Sequence, residues 1–354
     1  MGEEPHFHMQ RIVHIGAALL LAAIALVLPE CSGTDRRADS PYVLEKKKHI
    51  VALLRTHSPT GYRIVDGYYR LPEKFTTGGY TITARKVDLT PYIMGDSKLD
   101  LLLAVESVVH EICHGYSYNA AFDMIVQSRL PFNPEEYSYI QFLPGRADRL
   151  IKVTRCVPAR MMTDYIPKKL RGPAFTYMEK PWSDIYVLHN EMLAYYHGAS
   201  AGLDIAPAMK EKDIRTLGAW RMYLHNTGSS YCQAAELKYL IVTCMMAQEQ
   251  IDRQSDAAVM ANREFLASFL ELADTLPGLR RRLDAERDYF LGALRKAGYG
   301  VRKDGNDLVV SKGGDSLTLR DPGADADKFE RALGWEECRL ALRKMRTAAE
   351  LPRR

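Results

Sequence analysis

The chain has 354 residues, of which 47% are hydrophobic and 26% charged, as expected for a globular protein with a substantial core. Its 48 Lys and Arg against 44 Asp and Glu give a net charge of only +4, which argues against nucleic acid as a partner. A local basic cluster fits either a solvated helix face or a surface for a membrane or an acidic partner; it consists of Arg280, Arg281, Arg282 and Arg287.

Residues 1–40 are predicted to be an export segment followed by a linker. Residues 12–28 are almost continuously apolar, with Arg11 before them and a polar run after them. At 1.5 Å per residue this stretch spans roughly 25 Å, less than the ~30 Å hydrocarbon core, so a secretory signal is favoured over a membrane anchor. The segment around Cys31 resembles a bacterial lipoprotein signal with Cys31 as the lipidated residue. Lipidation, cleavage and anchoring are the alternatives, and each predicts an exported protein that is periplasmic, on the cell surface or membrane-anchored.

The next part of the chain is predicted to be a mixed α/β region. Strands are expected at residues 61–71 and 78–89, and a helix at residues 98–115, where apolar residues recur at helical spacing. Further strands are expected at 137–143 and 149–157. A second helix is expected at 184–196, with Ser183 and Asp184 as capping candidates and Gly198 at its end.

The rest of the chain is predicted to be mainly helical. Amphipathic helices are expected at about 207–225, 233–253, 255–275 and 278–298, then a short two-stranded unit within 301–320 and a helix at 325–349. This pattern predicts an α+β fold in two parts, a mixed α/β domain at residues 41–254 and a helical C-terminal part at 255–354 with a short β-hairpin.

The most informative motif lies in the helix at 98–115. His110 and His114 are four residues, or about 400°, apart, so they project from one helix face and can converge on one Zn²⁺. Glu111 is placed to take a proton from a water at the metal. The motif resembles the His-Glu-x-x-His signature of zincin metallopeptidases, which implies a zincin-like fold with a small mixed sheet. The alternative is a core helix that buries two hydrogen-bonded histidines.

Two histidines leave a catalytic zinc one protein ligand short. Residues 115–124 contain no histidine, which excludes the metzincin branch. Asp123 is nine residues, or about 900°, after His114 and could bind only if the helix ends at Gly115. Glu191 is the better candidate because its helical neighbours are apolar and an ionised carboxylate there needs a cation. Asn190-Glu191 resembles the third-ligand segment of gluzincins, and the alternative for Glu191 is a buried salt bridge.

Other polar residues near these motifs have several possible roles. His189 and His197 lie about 200° and 240° from Glu191 around its helix and are expected to be core histidines. Glu106, one turn before His110, is either an acceptor for a ligand imidazole or an ordinary helix carboxylate. Gluzincins also use a Tyr or His as the oxyanion donor, for which the candidates are Tyr223, His225 and Tyr231. Residues 80–89 would be the edge strand that pairs with an extended peptide.

Together these features predict a zinc-dependent peptidase that acts on a peptide or protein substrate, with endopeptidase action favoured. Two alternatives stay open. One is a zinc-dependent hydrolase of another amide, such as a cell-wall peptide. The other is a non-catalytic lipoprotein that uses the fold to bind a partner, against which the presence of Glu111 argues.

Overall fold

The computed structural model describes residues 41–77, 79–84, 86–130, 137–211 and 216–350. The α+β class and the mainly helical C-terminal part are confirmed. The predicted export segment at 1–40, including Cys31, lies outside the described residues, so export and lipidation stay predictions. Among the described helices, none is both long and apolar enough to cross a bilayer.

The first part of the chain is more helical than predicted. Its elements are helices α1 (Pro41–His57) and α2 (Pro59–Arg70), strands β1 (Lys74–Thr77) and β2 (Tyr80–Thr83), and the long helix α3 (Lys98–Gln127). The strand predicted at 61–71 is wrong. Ser58 caps α2 by accepting a hydrogen bond from the backbone of Gly61, and Pro59 stands at the first helical position. Ile64, Val65 and Tyr68 are buried at helical spacing.

Helix α3 begins at a capping box and runs well past its predicted end. The hydroxyl of Ser97 accepts from the backbone N–H of Asp100, whose carboxylate accepts in return from the backbone of Ser97. Gly115 does not end the helix. A Cβ at this position would lie 2.6 Å from a ring carbon of Tyr68, so the glycine allows α2 to approach α3 closely.

The middle of the chain carries a small hairpin and the most buried helix. Its elements are β3 (Ser138–Gln141), β4 (Arg149–Lys152), the short helices α4 (Phe175–Met178) and α6 (Ala206–Met209), and between these α5 (Ile185–Asp204). The strands lie within the predicted ranges. Asp184 caps α5 through the backbone N–H groups of Tyr186 and Val187, as predicted. The helix continues past Gly198, however, and is buried on nearly all sides.

The C-terminal part has longer helices and one more strand than predicted. Its helices are α7 (Leu217–Ile251), α8 (Arg253–Ala261), α9 (Arg263–Lys296), α10 (Pro322–Leu333) and α11 (Glu336–Glu350), with strands β5 (Gly300–Asp304), β6 (Asp307–Lys312) and β7 (Asp315–Arg320) between α9 and α10. The expected two-stranded unit is a three-stranded antiparallel sheet in the order β5-β6-β7. Gly305 and Gly313 form its two turns with φ of +60° and +63°.

Helix α5 lies at the centre of the molecule, packed against α3 on one side and α7 on the other. The described strands form three separate antiparallel sheets rather than the small mixed sheet that the zincin resemblance implies. The predicted edge strand is one half of a two-stranded hairpin, in which β2 pairs with β1. The domain boundary near residue 255 stays a prediction. The hydrophobic core is continuous across it, with the ring of Phe265 5.5 Å from that of His189.

Candidate metal centre

Helices α3 and α5 bring three metal-capable side chains together. The ligand atoms of His110, His114 and Glu191 lie within 4.8 Å of one another. Oε2 of Glu191 is 3.4 Å from Nε2 of His114 and 3.8 Å from Nε2 of His110. Two ligand atoms bound at about 2.1 Å to one tetrahedral zinc ion are about 3.4 Å apart. The group therefore has the donor set and the spacing of a metal site.

A chain of hydrogen bonds fixes the tautomer of His114. The hydroxyl of Ser117 donates to the carbonyl oxygen of Ile140 at 2.7 Å and accepts from Nδ2 of Asn190 at 3.1 Å. This orientation directs Oδ1 of Asn190 at Nδ1 of His114, 2.6 Å away, and an amide oxygen can only accept. Nδ1 therefore carries a proton, which leaves Nε2, 3.4 Å from Oε2 of Glu191, as the nitrogen that would bind a metal ion.

His110 is held by packing. Its ring centroid lies 4.2 Å from that of Tyr195 and 5.1 Å from that of His114. Nδ1 of His110 has no hydrogen-bond partner among the described residues. Burial lowers the pKa of His110 to about 3, so its imidazole is neutral near pH 7. The neutral form is the one that binds a metal ion.

The buried carboxylate of Glu191 is stable in its ionised form only if a positive charge lies close to it. Its side chain is 12% exposed, and no donor from the described part of the chain hydrogen-bonds to its buried Oε2. Burial acts to raise the pKa of Glu191, but His114, His110 and the Tyr177 hydroxyl outweigh it and hold the pKa below its usual value. In turn, the Glu191 carboxylate overcomes the effect of burial and raises the pKa of His114 to about 9, so without a metal ion the His114 imidazole is protonated and is the cation beside Glu191. A metal ion bound at Nε2 would replace that proton and supply the positive charge that the buried carboxylate needs.

Glu111 shares the electrostatic environment of the site. Burial raises the pKa of Glu111, and Glu191 adds to this effect while His114 opposes it. The hydroxyl of Tyr92, at the end of a single 3₁₀ turn (Thr90–Tyr92), hydrogen-bonds the Glu111 carboxylate. A carboxylate with a raised pKa is better suited to accept a proton and return it than one at its usual value.

The other sequence candidates near the motif lie elsewhere. Asp123 is not part of the His110–His114–Glu191 group because α3 continues through Gln127 and carries it to the opposite face. His189 and His197 are fully buried core histidines, as predicted. Nδ1 of His189 is 2.8 Å from the Tyr139 hydroxyl, and Nε2 of His197 is 2.9 Å from the Phe142 carbonyl oxygen.

Glu106 has partners other than the ligand imidazoles. Its carboxylate accepts hydrogen bonds from Ser107 on its own helix and from Ser230 on α7. It therefore links α3 to α7 one turn before His110. Gly198 on α5 faces the same region, where a Cβ would lie 2.9 Å from the carbonyl oxygen of Glu106 and 3.2 Å from Cβ of His110. The glycine allows α5 to approach the metal-binding face of α3.

The three oxyanion candidates from the sequence have separate surroundings. Tyr223 is buried beside Trp220 and Glu286, and its hydroxyl has no hydrogen-bond partner within the described structure. His225 is exposed and lines a cavity that does not include any of the three residues of the metal-binding group. The ring centroid of Tyr231 lies 5.9 Å from the guanidinium carbon of Arg280.

Two tyrosines that the sequence did not single out as functional contact the site. The hydroxyl groups of Tyr177 and Tyr195 are 2.9 Å apart, Tyr177 reaches the Glu191 carboxylate, and Tyr195 packs on His110. Tyr195 is four residues after Glu191, a spacing that predicts a shared helix face. Tyr177 lies on α4, and no periodic spacing in the sequence relates it to Glu191.

Comparisons of the chain with protein-family models, with curated proteins and with solved structures find no match.

Proposed function

We propose that the protein is a zinc-dependent peptidase that acts outside the cytoplasm. The proposal rests on one observation: two imidazole nitrogens and a buried carboxylate oxygen converge at the spacing of a metal site. The donor set of two histidines and one glutamate suits a catalytic zinc ion, which keeps one position for water or substrate. The adjacent Glu111 favours an enzyme over a binding module.

His110, His114 and Glu191 would hold the ion. When bound, zinc supplies Lewis acidity, which lowers the pKa of water toward 7 and polarises a carbonyl group. Glu111 takes the proton from the attacking water and passes it to the leaving amine as the peptide bond breaks. Asn190 keeps His114 in the required tautomer throughout this cycle.

We propose Tyr177 and Tyr195 as the source of oxyanion stabilisation, in place of Tyr223, His225 and Tyr231. Their paired hydroxyl groups lie against the metal-binding residues. Burial raises the pKa of both tyrosines, so both keep their protons at neutral pH. A phenolic O–H donates one hydrogen bond, and since Tyr177 donates to Glu191, Tyr195 would supply the oxyanion donor by turning its O–H away from the Tyr177 oxygen.

The substrate is proposed to be a peptide in extended conformation. The side chains of His110, His114 and Glu191 are 9, 10 and 12% exposed, so only a small part of each is accessible from outside. An extended chain reaches side chains of such low exposure more readily than a folded surface does.

Metal content tests the first part of the proposal. The purified protein is expected to contain one zinc ion per chain by elemental analysis, and His110→Ala is expected to contain none because it removes a ligand. His197→Ala is the matched control, since it removes a buried histidine from the neighbouring helix without touching the group. A folded wild-type protein that purifies without metal and takes up none contradicts the proposal.

Cleavage assays test the second part. The zinc-loaded protein is expected to hydrolyse members of a defined peptide mixture, with products identified by mass spectrometry. Hydrolysis of cell-wall peptides alone would identify the other amide hydrolase. Stoichiometric zinc with no hydrolysis of either substrate class would favour the non-catalytic module.

A further inference from the structure

A cavity lies away from the metal centre, between helices α7 and α9 and strands β6 and β7. Its volume is about 370 Å³, and none of its lining residues belongs to the metal-binding group. Its inner wall is apolar and is formed by Leu283, Phe290, Leu291 and Leu319, all at most 7% exposed. The cavity is open to solvent, because residues at its rim such as Thr318 are exposed.

The lining also contains three arginines, of which only two form ion pairs with carboxylates of the described residues. Arg287 forms ion pairs with Asp284 and Asp321, and Arg320 pairs with Asp325. Arg221, in contrast, has neither a hydrogen bond nor an ion pair to any residue that the structure describes. Arg221 and His225 are both exposed and lie four residues apart on α7, so they stand on one helix face at the wall of the cavity.

We propose that this cavity binds a small amphipathic carboxylate. The apolar body of the ligand would cover the leucine and phenylalanine wall, and its carboxylate would accept two hydrogen bonds from the guanidinium of Arg221. His225 adds a ring N–H donor on the same face. A purely apolar ligand would gain nothing from the guanidinium of Arg221, and a small inorganic anion would leave the apolar wall uncovered. Ligand sites commonly have this size and this mixture of an apolar lining with few polar groups.

Calorimetric titration of the purified full-length chain with four probes tests the proposal. Decanoate carries both features, acetate lacks the apolar body, decanol lacks the charge, and N-acetylphenylalanine is a carboxylate on the apolar end of a peptide. We expect saturable binding of one decanoate or one N-acetylphenylalanine per chain, at least about tenfold tighter than acetate or decanol. The tighter of the two carboxylates identifies the ligand source as an acyl chain or a peptide terminus.

Three variants locate the binding. Arg221→Gln is expected to weaken carboxylate binding about tenfold or more without changing that of decanol, since it removes only the charge. Thr318→Trp, at an exposed position on β7 that lines the cavity, is expected to abolish binding by filling the space. Arg281→Gln, an exposed arginine on α9 outside the lining, is the control and should bind as the wild type does. Equal affinities for decanoate and decanol, or equal carboxylate affinities in Arg221→Gln and the wild type, would overturn the proposal.

Discussion

At the scale of single residues, a substitution of Glu111 distinguishes metal binding from catalysis. Glu111→Gln keeps the size of the side chain and its contact with Tyr92 but removes the proton acceptor. We expect zinc content and fold to be unchanged and the rate of peptide hydrolysis to fall by roughly 10²-fold or more. Elemental analysis and kcat measured on the same sample check this. Loss of zinc in the variant would assign Glu111 to coordination instead.

The third ligand gives a second prediction at this scale. Glu191→Ala removes the carboxylate oxygen that lies 3.4 Å from His114 and 3.8 Å from His110. Zinc affinity, measured by competition with a chromogenic chelator, should fall by well over tenfold. Asp123→Ala is the matched control because Asp123 lies on the same helix as the histidines but outside the group. Equal zinc affinity in Glu191→Ala and Asp123→Ala would exclude Glu191 as a ligand.

At the scale of elements, one buried carboxylate on α7 holds the segment that carries Tyr177. Glu236 is 0% exposed and accepts hydrogen bonds from the backbone N–H groups of Gly172, Ala174 and Phe175. In Glu236→Gln the amide oxygen can replace only one of the two carboxylate oxygens, so the NH2 group faces at least one of these N–H donors. We expect the free energy of unfolding to fall by roughly 1–3 kcal/mol, measured by urea denaturation.

Glu249→Gln is the control for that experiment. Glu249 is on the same helix but is exposed, with Lys344 as its partner, so the substitution should change stability by less than about 0.5 kcal/mol. If Glu236→Gln unfolds at the same urea concentration as Glu249→Gln, the three backbone hydrogen bonds do not hold the segment in place.

Element boundaries were less predictable from the sequence than element types, and two glycines show why. The sequence predicts Gly115 and Gly198 as helix ends, the usual meaning of a glycine after a periodic apolar run. Both lie inside helices, where they allow close approach of Tyr68 and of α3. A local signal cannot distinguish a helix stop from a packing contact, because the contact depends on a partner distant in sequence.

The candidate site also contains features that the sequence predicts and features that it does not. The spacing of His110 and His114 and the apolar surroundings of Glu191 were sufficient to predict the three residues that the structure brings together. The Ser117–Asn190–His114 hydrogen bonds and the contact of Tyr177 with Glu191 join separate elements. These contacts depend on how α3, α4 and α5 pack, which no spacing within one element encodes.

At the scale of the whole molecule, the site lies at the contact between two central helices. His110 and His114 are on α3 and Glu191 is on α5, the helix that packs against both α3 and α7. A metal ion bound by these residues would cross-link the two helices. Metal binding and global stability should therefore be coupled.

This coupling gives the last prediction. A ligand that binds only the folded state stabilises it by about 4 kcal/mol when its free concentration is 1,000 times Kd. Urea unfolding of the zinc-saturated protein should therefore occur at a clearly higher urea concentration than unfolding of the chelator-treated protein. His110→Ala should show no such difference, because its site lacks one ligand. An equal zinc-dependent shift in the wild type and in His110→Ala would place the metal elsewhere in the chain, and a wild-type midpoint that zinc does not change would contradict the coupling.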